Sequence, residues 1–211
     1  MQDPSQDTPQ DPSQDPREFA VPATLRNGTP VTIRAVHPDD GGRIHDAFRH
    51  LGRQTVYNRF MGYKRDVTEA ELRHITGVDF DRDVALLVTI GSGDTEEVIG
   101  GASYFAIDSN TPSHSAELAF TVEEEYQGKG MASSLLRHLI LFARRKGVLQ
   151  FEAEVLTSNL PMLDVFRASG LPMTLEQDGD VTHVTLSLRP EPRQGHAGAP
   201  PATQSGPSEP L

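Results

Sequence analysis

Residues 126 to 134 read Tyr126-Gln127-Gly128-Lys129-Gly130-Met131-Ala132-Ser133-Ser134. They stand between a strand-like run, Glu117 to Val122, and an amphipathic run, Met131 to Lys146. The second run repeats apolar residues at Met131, Leu135, Leu139 and Phe142, with Leu136, Ile140 and Ala143 beside them, and stops at Gly147, which is the spacing and the stop signal of a helix. A glycine-rich turn that opens a helix presents several backbone N–H groups at the positive end of the helix dipole, and that arrangement suits a phosphate or pyrophosphate.

Two familiar phosphate loops do not fit. A P-loop needs G-x-x-x-x-G-K-[ST], but Lys129 lies between two glycines and Met131 follows, so the hydroxyl that would hold Mg²⁺ is missing. The dinucleotide fingerprint needs a third glycine where Ser133 stands. The pattern present is Q-x-x-G-x-A, formed by Gln127, Gly130 and Ala132.

Upstream, Val21 to Leu25 and Val31 to Val36 flank Arg26-Asn27-Gly28-Thr29, and Asn-Gly between β-rich runs predicts a hairpin. One helix is expected from about Pro38-Asp39-Asp40, burying Ile44, Ala47, Phe48 and Leu51. A second starts at Thr68, whose partner Glu71 completes a capping box. Val84 to Ile90, Val98 to Ile107 and Ala116 to Val122 read as three strands, joined through Gly91 to Asp94 and through Asp108 to Pro112, and a meander is the simplest topology. After the long helix come a strand, Gln150 to Leu156, a helix from Asn159 or Leu160 to Ala168, and closing strands at Met173 to Gln177 and Val181 to Leu188. Strand, long helix, strand implies one parallel pair.

The 211 residues suffice for one domain with a real core. Residues 1–18 repeat Gln-Asp-Pro, and residues 190–211 are rich in Pro, Gly, Ser and Ala. Both ends are expected to be disordered tails around a folded domain at 19–189. Nearly half of the formal net charge of −11 lies in those ends. An acidic domain is a poor non-specific nucleic-acid binder and tolerates a basic partner. With no cysteine, no apolar run near 18 residues and no signal-like start, the chain reads as soluble and cytoplasmic, with no membrane partner. The missing cysteine also excludes acyl transfer through a cysteine thioester.

The Gln127–Gly130–Ala132 pattern resembles the [RQ]-x-x-G-x-[GA] signature of the GNAT acetyltransferases, and the order of elements over residues 19–189 is similar to their whole domain. Val31 to Arg34, Tyr57 to Phe60, Asp79 to Asp83, Ala116 to Phe120 and Val155 to Met162 narrow the resemblance to the GNAT domain of bacterial protein lysine acetyltransferases. The resemblance implies an α/β fold: a mixed, mostly antiparallel sheet of about six to seven strands with about four helices. It also implies acetyl-CoA as co-substrate, no metal, and an amine acceptor that is a protein lysine or, alternatively, a small molecule. From a different class, the same fold serves a CoA-binding sensor without turnover.

The resemblance implies a site as well. A lysine amine is almost wholly charged at neutral pH, so transfer needs a base. Glu117, on the strand leading to the loop, corresponds to the glutamate that does this in the family. Strand alternation puts it on one face with Ala119 and Thr121, and a carboxylate enclosed by small and apolar residues suits a base; the alternative is an exposed strand glutamate or an ion pair with an arginine. Phe120 and Val122, on the other face, would line the pantetheine arm, and a strand N–H would receive the thioester oxygen. Gln127, Gly128, Lys129, Gly130, Met131 and Ala132 would hold the pyrophosphate, with Lys129 either adding charge or standing solvated. Asn159 would contact CoA, or act as a plain N-cap with Pro161 in the first turn. The tyrosine that protonates the leaving thiolate in many relatives is replaced by Phe166.

The remaining candidates read as structural. Asp79, Asp81 and Asp83 alternate like a Ca²⁺ loop, but Val84 occupies the glycine position and Ile90 the terminal glutamate position. They are expected to be structural or to guide a cationic substrate. Eight histidines show no metal-type pairing. Arg144, Arg145 and Lys146 are expected to be solvated at a helix end, and Glu123, Glu124 and Glu125 to form an exposed turn.

Overall fold

The structure is a computed structural model and describes residues 15–107 and 114–189. The expectations for residues 1–14 and 190–211, and for the connection Asp108 to Pro112, lie outside the described residues.

Asn27-Gly28 makes the hairpin it predicts. β1 (Ala20–Thr24) and β2 (Pro30–Ala35) pair antiparallel, and Gly28 takes the left-handed φ of +87° that the turn requires. α1 begins later than expected. Pro38–Asp40 form a 3₁₀ turn because the Asp40 carboxylate folds back onto the His37 N–H at 2.7 Å, and α1 runs Gly41–His50. α3 (Glu69–Thr76) carries its capping box: Thr68 Oγ1 accepts the Glu71 N–H and Glu71 Oε2 accepts the Thr68 N–H.

A helix that the sequence reading did not assign, α2 (Arg53–Phe60), lies between them. Its weak helix formers and β-branched Thr55 and Val56 give no clear apolar stripe, and both of those residues are buried by the fold around them. With it, the described residues hold five α-helices, close to the expected number of about four.

β3 (Val84–Ile90), β4 (Glu97–Ala106) and β5 (Ser115–Val122) form the expected meander. α4 (Met131–Arg145) then crosses to β6 (Gln150–Leu156), which pairs parallel with β5, and α5 (Leu160–Arg167) follows. β7 (Met173–Asp178) and β8 (Val181–Ser187) close one eight-stranded sheet in the order β1-β2-β3-β4-β5-β6-β8-β7. All eight strands among the described residues join it, close to the six to seven expected, and the final hairpin inserts β8 beside β6 and leaves β7 at the edge.

Strand alternation divides the helices between the two faces. A side chain at Gly100 would strike Met131 of α4, whereas His74 of α3 stacks on Phe105, an odd number of residues along the same strand, at 4.2 Å. On the α4 face, Leu135, Leu139 and Phe142 join Tyr104, Phe151 and Phe166 in the core. On the other face α1 is only partly covered: Phe48 is buried, and Ile44, Ala47 and Leu51 are half-buried.

An ion-pair network fixes the start of α1. The Arg34 guanidinium of β2 donates to both Asp40 oxygens, at 2.7 and 2.8 Å, and to Glu96 at 2.8 Å, while Arg43 of α1 reaches Asp40 at 3.4 Å. Burial by itself would raise the proton affinity of Asp40. The Arg34 hydrogen bonds and the His37 N–H outweigh it and hold the carboxyl below its usual range.

Candidate functional site

Pairing between β5 and β6 covers only three positions, Ser115↔Gln150, Ala116↔Phe151 and Glu117↔Glu152. Beyond Glu117 the two strands part. The edge of β5 facing β6 then lacks a strand partner from Leu118 to Val122, so alternate backbone groups on that edge are left for a ligand. A cleft of about 630 Å³ opens there, floored by Phe120 and Val122 and closed by the glycine loop, α2 and α5.

The loop is held from outside its own sequence. A 3₁₀ turn at Glu124–Tyr126 leads into it, and Glu124 Oε2 accepts the Gly52 N–H at the start of α2, at 2.9 Å. The Gln127 side chain donates to Thr55 Oγ1 of α2 at 2.8 Å and to the Val122 carbonyl at 3.0 Å. Gly128 and Gly130 take φ of +70° and +90°, a region costly for residues with a Cβ. Gly130 caps α4 without any side-chain hydrogen bond to the first-turn N–H groups. The start of a fifteen-residue helix therefore presents those groups to the cleft, as a phosphate site requires.

The other residues singled out from the sequence fall in different places. Met131 and Ala132 both line the cleft, Met131 while buried under β4. Lys129 is not among the lining residues; its Nζ sits 5.2 Å from the Tyr126 ring centroid. Asn159 caps α5, its Oδ1 accepting the Met162 N–H at 3.3 Å, and it also lines the cleft. Phe166 is 1% exposed and meets the Phe120 ring edge-on at 6.0 Å.

A second cleft of about 400 Å³ lies on the opposite side of β5, between the sheet and α1 and α3. Glu117, Ala119, Thr121 and Glu123 line it, the same-face set expected from alternation, continued by one residue. Ile44, Phe48, Leu51, Val67 and Ile75 form apolar walls. Glu117 belongs to both clefts, as do Ala119 and Thr121 of β5 and Arg59 and Phe60 of α2, and Glu117 is the carboxylate among them. The enclosure expected for Glu117 is absent, because β5 and β6 part at this residue and leave the carboxylate exposed. Arg59 faces it. Burial holds the Arg59 guanidinium below its usual range, and the fields of Glu117 and then Glu71 act in the opposite sense.

Several charged groups differ from their sequence reading. Glu123 is half-buried, and burial pushes its carboxyl up, with His50 acting against that and Glu124 and Glu125 reinforcing it. Glu124 and Glu125 are exposed in a 3₁₀ turn as expected, and Glu124 also anchors α2. Asp79 Oδ1 accepts the N–H groups of Asp81, Arg82 and Asp83, Asp83 accepts from the Ala106 N–H, and Asp81 pairs with Lys146 at 2.8 Å. The aspartates thus shape a loop, and Lys146 is engaged there rather than solvated. Arg144 Nε donates to the Leu188 carbonyl. Thr55 and Arg59 were not singled out, since a β-branched residue and an arginine on a helix without a stripe carry no local signal.

The sequence model of the Acetyltransferase (GNAT) family matches residues 53–171. The chain is similar to the acetyltransferase Pat of Mycolicibacterium smegmatis, with 32% identity over 161 residues, which are 76% of this chain and 47% of that protein. It thus spans about half the length of that relative. The acetyltransferase PA5475 of Pseudomonas aeruginosa is 28% identical over 165 residues, 78% of this chain and 87% of that one. Among solved structures, the GNAT domain of S. lividans PAT superposes with a TM-score of 0.72 at 29% identity, covering 80% of this chain and 96% of the other.

Proposed function

The chain belongs to the GNAT acetyltransferase family, and on that premise we propose that it moves the acetyl group of acetyl-CoA to a protein lysine side chain, with Glu117 as the base. The reaction forms a bond between the lysine nitrogen and the acetyl carbon and breaks the bond from that carbon to sulfur. The ammonium gives one proton to Glu117, directly or through water, the thiolate leaves with the electron pair of the broken bond, and the second nitrogen proton passes to the thiolate or to water as the amide forms.

The observation that carries this reading is the meeting of two clefts at one carboxylate. The donor lies along β5, where the parting of β5 and β6 leaves backbone groups for its pantetheine arm and for the oxyanion that develops on the thioester oxygen. Its pyrophosphate takes the uncapped N–H groups at the start of α4. The residues present fit that group: Gly128 and Gly130 keep the loop free of side chains.

The acceptor enters from the second cleft. Its apolar walls suit the methylenes of a lysine, and Glu117 and Glu123 suit a cation. Nothing at Phe166 can give a proton, and a thiol of pKa near 8.5 leaves as thiolate with little help. The absence of a tyrosine therefore costs this mechanism little. A cytoplasmic setting is part of the proposal, and the lack of cysteine in the sequence supports it.

Incubating the protein with acetyl-CoA and a protein lysate, then reading free thiol and acetyl-lysine by mass spectrometry, tests the assignment. Thiol release together with new acetyl-lysine sites is the expected outcome. Thiol release with small amines alone would move the acceptor to that class, and tight CoA binding without thiol release in any screen would leave a sensor.

A further inference from the structure

A pyrophosphate held only by backbone N–H groups keeps most of its charge, and a neighbouring cation adds both affinity and orientation. The loop's own cation is Lys129, but its ammonium lies over the Tyr126 ring and outside the cleft lining. A second cation reaches the loop from the far end of the sheet. Arg26 stands in the turn of the β1–β2 hairpin, and its backbone N–H donates to the Lys129 carbonyl at 3.0 Å, tying the hairpin to the glycine loop.

The Arg26 side chain then runs across Gly130. A Cβ placed on that glycine would lie 3.4 Å from Arg26 Nε, 3.6 Å from Cγ and 3.8 Å from Cδ. Arg26 lines the donor cleft together with Gly128, Gly130, Ala132 and Ser133. No carboxylate among the described residues pairs with it. An exposed guanidinium laid against a glycine, beside the open N-terminus of a helix, offers a planar fork of donors to the place where phosphate oxygens meet the loop amides. Gly130 thus has two reasons to lack a side chain: its φ, and the arginine packed on it.

We propose that Arg26 is the cation that pairs with the pyrophosphate of acetyl-CoA, so that the β1–β2 hairpin forms a further wall of the donor site. The inference rests on the donor assignment above. It places the charge contribution at Arg26 and not at Lys129.

Calorimetric titration of the full chain with CoA and with 3′-dephospho-CoA tests it, using wild type, Arg26→Gln, Arg26→Lys and Lys129→Gln. Arg26→Gln should weaken both ligands by about tenfold, because both retain the pyrophosphate. Arg26→Lys should recover part of the loss, and Lys129→Gln should lose at least threefold less than Arg26→Gln. Unchanged affinity in Arg26→Gln would overturn the proposal, as would a loss seen for CoA but not for 3′-dephospho-CoA, which would assign Arg26 to the 3′-phosphate. A wild-type chain that binds neither ligand would sink the donor assignment itself. Wild-type binding that survives Arg26→Gln would sink this inference alone.

Discussion

The proposed donor and acceptor clefts share β5 and differ in what builds them. On the donor side the key groups are backbone: the freed edge of β5, two glycines at positive φ and the first turn of α4. On the acceptor side they are side chains from α1, α3 and three strands, brought together across the sheet. The first kind of site depends on local conformation, which a few residue types enforce. The second depends on which helix covers which strand, and its composition can vary without disturbing the chemistry proposed for Glu117. α2 connects the two, since Thr55 and the Gly52 N–H fix the loop while Arg59 and Phe60 border both clefts.

The largest effect should come from the residue the clefts share. Glu117→Gln keeps size and most hydrogen bonding but removes the proton acceptor, so kcat should fall by about 10²-fold or more while acetyl-CoA affinity stays within about twofold. The rate of the wild type should rise along a pH limb that this variant lacks or shifts. A Gln variant retaining more than about a third of wild-type kcat with the same pH profile would remove Glu117 from the role and erase the proposed junction.

A change confined to the donor side should be smaller and should separate the clefts. Gly130→Val forces a β-branched residue to φ of +90° and into the Arg26 side chain. It should weaken CoA by more than about tenfold, with the variant's circular dichroism spectrum like that of wild type. Equal CoA affinity in a folded variant would mean that the loop is not the cradle.

The smallest effect on the reaction is expected at Asp40, which supports only the acceptor side by clamping α1 to β2. Asp40 is 1% exposed and its carboxyl is held low by Arg34 and the His37 N–H against the cost of burial. A carboxyl depressed in the folded state stabilises fully above its ordinary range, and that contribution is lost as pH falls toward its folded pKa. Glu96, held low chiefly by the Arg34 hydrogen bond, acts in the same sense. Asp40→Asn should therefore lower Tm at pH 7 by several degrees, flatten the acid limb below about pH 4, and leave CoA affinity unchanged. An unaltered acid limb would show that the network contributes nothing to folding, and altered CoA binding would show that the two sides are coupled.

Much of this molecule was legible in its sequence. The hairpin at Asn27-Gly28, the capping box at Thr68 and Glu71, the eight strand segments and the glycine loop each follow from short-range rules: which residues accept positive φ, which cap a helix, and which alternate on a pleated surface. The same alternation placed Glu117 with Ala119 and Thr121. Tertiary structure alone decided the rest. α2 is a helix whose buried face exists only because the loop and β5 lie against it. Glu117 is exposed because β5 and β6 part after three paired residues, a divergence with no local signature. Lys129 turns to the Tyr126 ring while Arg26 arrives from a distant hairpin. Backbone conformation is set by neighbours in sequence, but the place of a charged side chain is set by whatever the fold brings beside it, and that distance along the chain is what sequence periodicity does not carry.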